Sequence, residues 1–180
     1  MNTKQIAKIY KIPIKYNVNP EKNCNWDGKY INAKGLSEQD IMHELCHNIV
    51  AKRKNIPEYG LGRGPNSTFD AYWNKLEKLN LKIKMDSSFI EEDRACILEF
   101  IFAAIYNDDY KNLMYGRQYI DINLDGICRL LLNKKEFMNH IRALKRKNII
   151  NKYWIPSKLK QTNKKLSLIK QFRSFIRSMK

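Results

Sequence analysis

Histidine is scarce in this chain: His43, His47 and His140 are the only three in 180 residues. Any imidazole chemistry must come from these. The four cysteines, Cys24, Cys46, Cys96 and Cys128, form no C-x-x-C pair. A C-x-x-C zinc or thioredoxin-like redox pair is therefore excluded, and free thiols are expected in a reducing compartment. No apolar run approaches the roughly 18 residues of a membrane span. The first 17 residues carry lysines throughout and lack the apolar centre of a signal peptide, so a cytoplasmic protein is expected. Acid is nearly missing from one end: residues 134–180 hold 15 Lys+Arg against a single acid, Glu136, whereas residues 1–133 hold 19 against 17. The net charge of +16 thus belongs to the last quarter of the chain.

What is present argues for a folded globule. Hydrophobic residues make up 43% and aromatics 11%, enough to build a core in a chain of this length. The expected architecture is α+β and mainly α. A zincin-like helical domain with a small N-terminal sheet (1–133) is followed by a basic helical extension (134–180). Residues 5–18 alternate, with Ile6, Tyr10, Ile12, Ile14, Tyr16 and Val18 on one side, which predicts an extended segment with an edge or break at Pro13. A turn over 19–28 leads to a short extended piece from Lys29 to Ala33, closed by Gly35.

Ser37 suits a helix N-cap, with Asp40 three residues on, and the helix should run to about Arg53. Ile41, Leu45 and Ile49 mark its core stripe, with His43, His47 and Val50 on the opposite face. Residues 54–67 hold three of the seven glycines and two of the five prolines, which predicts a loop. Gly62-x-Gly64 is no nucleotide loop, because no Gly-Lys-Ser/Thr follows. Further helices are predicted over 68–81, 89–106 (capped by Ser88 and buried in its second half), 124–132 and 135–147, and from about Lys164 to the end. The last carries Leu166, Ile169, Phe172, Phe175 or Ile176, and Met179 as its apolar residues.

The chemistry centres on His43-Glu44-Leu45-Cys46-His47, an H-E-x-x-H pattern. About one chain in 400 of this composition would carry it by chance. On a helix, positions i and i+4 share a face, so both imidazoles can bind one metal ion. Glu44 lies about 100° around the helix, where it can reach a metal-activated water without being a ligand. A catalytic zinc site takes three protein ligands and an open position. A metzincin ending is excluded, because Val50 and Arg53 stand where it needs Gly and His. The third ligand is sought among the acids of the 89–106 helix. Glu92 leads, at the head of Glu92-Asp93-Arg94-Ala95, then Glu91, then Glu99. For Glu91 and Asp93 the simpler role is to complement the positive end of the helix dipole. A set of His43, His47, Glu92 and Cys96 would instead be a closed structural site. His140 lies far along the chain in the basic region.

H-E-L-C-H followed by E-x-x-A on a later helix resembles the gluzincin-type zinc metallopeptidases, loosely including phage and plasmid peptidases of the ImmA/IrrE kind. Their E-x-E-A-N stretch is only partly matched by Glu91-Glu92-Asp93-Arg94-Ala95-Cys96. His43–His47, Ile49-Val50-Ala51 and Pro57-Glu58-Tyr59-Gly60 also resemble elongation factor P hydroxylase-like and related phage or bacterial H-E-x-x-H proteins. The first resemblance implies Zn²⁺ and hydrolysis of a protein or peptide substrate, with Glu44 as base. The second implies Fe²⁺ in a two-His-one-carboxylate set and oxygen chemistry. Glu44 favours hydrolysis, which needs a base there. A non-catalytic binding module is the alternative of a different class. For residues 134–180 three uses compete: packing with a solvated basic face, binding of nucleic acid or an acidic partner, and contact with an anionic membrane.

Overall fold

The computed structural model describes residues 2–16, 30–51, 87–106 and 134–178, without the side chains of 51, 87–89, 91 and 92. These residues form five helices and one two-stranded sheet, a mainly helical α+β arrangement. The elements are α1 (Thr3–Tyr10), β1 (Ile14–Lys15), β2 (Ile31–Asn32), α2 (Glu38–Ala51), α3 (Ser87–Tyr106), α4 (Lys134–Arg146) and α5 (Asn163–Ser178). The expected turn over 19–28, loop over 54–67 and helices over 68–81 and 124–132 lie outside the described residues. Among the described residues no helix is long and apolar enough to cross a membrane. The chain divides into two compact units, Thr3–Ser88 and Phe89–Lys180 with Met1–Asn2. The expected boundary between 133 and 134 falls inside the second of these.

In the first unit, the alternating N-terminal segment is not extended throughout. Its first half is the helix α1. Thr3, Ile6 and Ala7 are buried and Tyr10 half-buried, the i, i+3, i+4, i+7 spacing of one helical face. Ile6 and Tyr10 satisfy a period of two as well as 3.6, which is why the residues alone suggested a strand. The helix is stopped by a Schellman motif. Lys11 takes φ 58°, its N–H bonds the Lys8 carbonyl (3.2 Å), and the Ile12 N–H bonds the Ala7 carbonyl (3.0 Å). A lysine in this left-handed position costs about 1 kcal/mol that a glycine does not. Lys11→Gly is therefore expected to raise stability by about 0.5–1 kcal/mol in urea unfolding. An unchanged or lower midpoint would contradict this account of the cap.

Beyond Pro13 the extended expectation holds. β1 pairs in parallel with β2, Ile14 opposite Ile31 and Lys15 opposite Asn32. The Pro13 carbonyl accepts from the Ile31 N–H (2.8 Å) and the Lys15 carbonyl from the Ala33 N–H (2.7 Å). Gly35, at φ 76°, makes the turn after β2, closed by Leu36 N–H to the Ala33 carbonyl at 3.2 Å. A positive φ at this point is a conformation that glycine adopts without steric penalty. α2 packs against α1 and β2.

In the second unit, α3 is buried along nearly its whole described length. Ala95 through Phe102 are all at most 2% exposed. Phe102 and Tyr106 stack one turn apart, ring centroids 6.4 Å apart. The Tyr106 hydroxyl is buried without a hydrogen-bond partner among the described residues, and burial pushes its pKa up to about 12. A folded-state pKa raised above the unfolded value near 10 gives stability that is present below pH 10 and lost as pH rises through about 12. Tyr106→Phe removes the unsatisfied group, so we expect equal or higher stability at pH 7. The fall in melting temperature from pH 9.5 to 12 should also become shallower. An identical alkaline slope in the variant would contradict this.

α4 buries Phe137, Ile141 and Leu144, and α5 buries Ile169, Phe172 and Ile176. α4 ends in a second Schellman motif, with Asn148 at φ 54° and bonds from Asn148 N–H to Lys145 O and from Ile149 N–H to Leu144 O, both 2.9 Å. Thr162 caps the start of α5: its Oγ1 accepts from the Lys165 N–H at 3.3 Å. The apolar stripe of the basic region is thus spent on packing, and most of its lysines and arginines face solvent. Crowding of like charge is felt at Lys145, whose pKa is lowered by burial and then by Arg173.

Candidate metal centre

The start of α2 is fixed by a reciprocal cap. The Ser37 Oγ accepts from the Asp40 N–H (3.1 Å), and the Asp40 Oδ2 accepts from the Ser37 N–H (3.2 Å) and the Ser37 hydroxyl (2.7 Å). This is the capping-box logic with Asp in place of Glu. Ile41, Leu45 and Ile49 then bury, at 2%, 0% and 6% exposure, and set the rotation of the helix. That rotation places His43 and His47 one above the other.

The two imidazoles converge: His43 Nε2 and His47 Nε2 are 3.1 Å apart, with the rings edge to face at 82° and 4.7 Å between centroids. Two nitrogens each about 2.0–2.1 Å from one zinc ion stand about 3.3 Å apart in a tetrahedral site. The observed separation corresponds to an N–metal–N angle near 98°, for a metal at about 2.05 Å from each nitrogen. A single shared proton can hold the same pair as an N–H···N hydrogen bond. The two imidazoles could therefore hold a metal ion with little rearrangement.

Glu44 is half-buried beside His43. Its backbone carbonyl accepts from Asn48 Nδ2 at 3.0 Å, while the buried Asn48 Oδ1 has no hydrogen-bond partner among the described residues. The expected separation of α2 into a core face and an open ligand face is not found. Residues 45 to 50 are all buried, including His47 at 5% and Val50 at 2%. Cys46 and Val50 extend the apolar surface around the helix, so His47 sits in a covered position and His43 is the more accessible of the two.

Of the other expected site residues, Glu92 and Glu91 lie on α3, but their side chains are outside the described residues. Cys96 and Glu99 are buried on the same helix, at 1% and 2% exposure. Asp93 does not serve merely as a helix-end charge. It is 2% exposed and its Oδ2 lies 3.3 Å from His140 Nε2. His140, which from its position in the basic region promised little, is buried. Glu136, one turn before it on α4, completes a group with Asp93 and His140 whose donor atoms lie within 4.8 Å of one another. The sequence signal for that group was present: Glu136 is the lone acid and His140 the lone histidine of residues 134–180, at i and i+4.

The protein thus has residue groups that could hold a metal ion. No protein family, curated protein or solved structure matches this chain. The resemblance to gluzincin-type peptidases rests on the short sequence motifs alone.

Proposed function

We propose that the chain is a metal-dependent hydrolase, a zinc peptidase acting on a protein or peptide substrate, with His43 and His47 as ligands and Glu44 as general base. The observation that carries this reading is the convergence of the two Nε2 atoms to 3.1 Å on a capped and buried helix, with a half-buried carboxylate on the adjoining position. A bound Zn²⁺ would supply a Lewis acid and a water acidified toward a pKa of about 7. Glu44 receives the proton that the attacking water loses and passes it to the leaving amine, so that one water and one amide give an acid and an amine. Burial of His47 holds its ring in one orientation, and the half-exposed His43 leaves the substrate side open. The third ligand in this reading is Glu92, at the head of Glu92-Asp93-Arg94-Ala95. Burial of the ligand helix, which excludes water from the polar groups on it, strengthens their electrostatics.

Metal analysis of protein purified without chelators tests this. His43→Ala/His47→Ala is expected to hold one equivalent of zinc fewer than the wild type, and Glu92→Gln to bind that equivalent more weakly. Equal metal content in wild type and double variant would overturn the reading. An equivalent of iron in anaerobically purified protein would overturn the hydrolase assignment in favour of oxygen chemistry on the same ligands.

A further inference from the structure

The second unit carries a site that the hydrolase reading does not use. We propose that Asp93, Glu136 and His140 bind a divalent transition-metal ion that clamps α3 to α4. Asp93 comes from α3, and Glu136 and His140 come from successive turns of α4. Their donor atoms lie within 4.8 Å of one another, with Asp93 and His140 buried and Glu136 half-buried.

Two features point to a cation in addition to a simple ion pair. The first is distance. Asp93 Oδ2 and His140 Nε2 stand 3.3 Å apart, long for a charge-assisted N–H···O bond, which closes to about 2.7–2.9 Å. It is the separation of two ligands each about 2.0–2.1 Å from one tetrahedral ion. The second is the donor set: two carboxylates and an imidazole from two helices, two of the three side chains buried, are ligands that a divalent ion takes. A mixed carboxylate–imidazole set suits zinc, manganese or iron, not calcium. Glu136 keeps the position accessible, because its side chain is only half-buried. The i, i+4 pair from one helix and a single ligand from another make a cross-link, and a ligand bound only by the folded state stabilises by mass action.

The experiment uses the full chain carrying His43→Ala/His47→Ala, so that zinc at the first site does not contribute. Zn²⁺ alone is titrated against a competing chelator dye, and melting is followed with and without Zn²⁺. One equivalent is expected to bind, with a rise in melting temperature. Adding Glu136→Gln should weaken binding at least tenfold, and adding His140→Gln should weaken it further. Each variant is compared with its own metal-free melting temperature, and the rise caused by Zn²⁺ is expected to be lost in Glu136→Gln. No zinc bound in the double variant, or binding unaltered by both added substitutions, overturns the proposal. If the double variant does not fold, the wild type and Glu136→Gln alone decide. A drop of one high-affinity equivalent supports the site, and an unchanged stoichiometry and affinity overturns it.

Discussion

Glu44→Gln is expected to lower peptide-bond hydrolysis by about 10²- to 10⁴-fold while zinc content stays at the wild-type level. On the barrier this is about 3–5 kcal/mol. The substitution keeps the size and hydrogen-bonding shape of the side chain and removes only its basicity. Glutamine and glutamate have nearly equal helix propensity, so α2 should persist. The backbone carbonyl of residue 44 remains available to Asn48 Nδ2, which it now accepts at 3.0 Å. In the proposed site, His43 and His47 would hold the metal through atoms the substitution does not touch. Release of new amines from an unfolded protein such as casein, with zinc quantified in the same samples, reads both quantities. Equal rates with full zinc in both proteins would remove Glu44 from the mechanism. Parallel loss of zinc and rate would make it a ligand or a structural residue instead.

The parts of the molecule legible in the sequence were those set by local chemistry. Ser37 and Asp40 announced the start of α2 three residues apart, and the cap forms with both partners. The apolar run of α3 required a buried helix, and Phe137, Ile141 and Leu144 marked the inner face of α4. The parts that were not legible depend on competing periods or on tertiary partners. Thr3–Tyr10 satisfied two periodicities, and a Schellman cap built on Lys11 gives no glycine to announce the helix end. The burial of His47 and Val50 depends on what packs around α2, which its own pattern of polar residues does not reveal. Asp93 looked like a helix-end acid because its partner, His140, lies 47 positions further along the chain. Such pairing is a property of topology, and only the rarity of His and Glu in the basic region hinted at it.

The basic region is held by a residue whose role no local rule would give. Trp154 lies in the connection between α4 and α5 at φ 69°, a left-handed backbone that bulky residues rarely adopt. Asn151 fixes that connection. Its Oδ1 accepts from the N–H groups of Tyr153 (2.8 Å) and Ile155 (3.1 Å), and its own N–H bonds the Ile155 carbonyl at 2.8 Å. The indole is 4% exposed. Its ring lies 6.1 Å from Phe137 of α4 and 6.2 Å from Phe172 of α5, with the Arg173 guanidinium 5.4 Å from its centroid. The strained backbone is thus held by aromatic burial between the two helices. Trp154→Ala is expected to cost about 3–5 kcal/mol in urea unfolding followed by circular dichroism. Trp154→Gly leaves the same cavity but relieves the left-handed strain, so it should be less destabilising than alanine by about 1 kcal/mol. A loss under 1 kcal/mol for alanine would show that α4 and α5 do not depend on this ring. Alanine and glycine variants of equal stability would show that the backbone at 154 relaxes once the indole is gone. With glycine the milder of the two, the conclusion is that packing of Phe137 and Phe172 on the indole forces a conformation that the tryptophan backbone would not adopt alone.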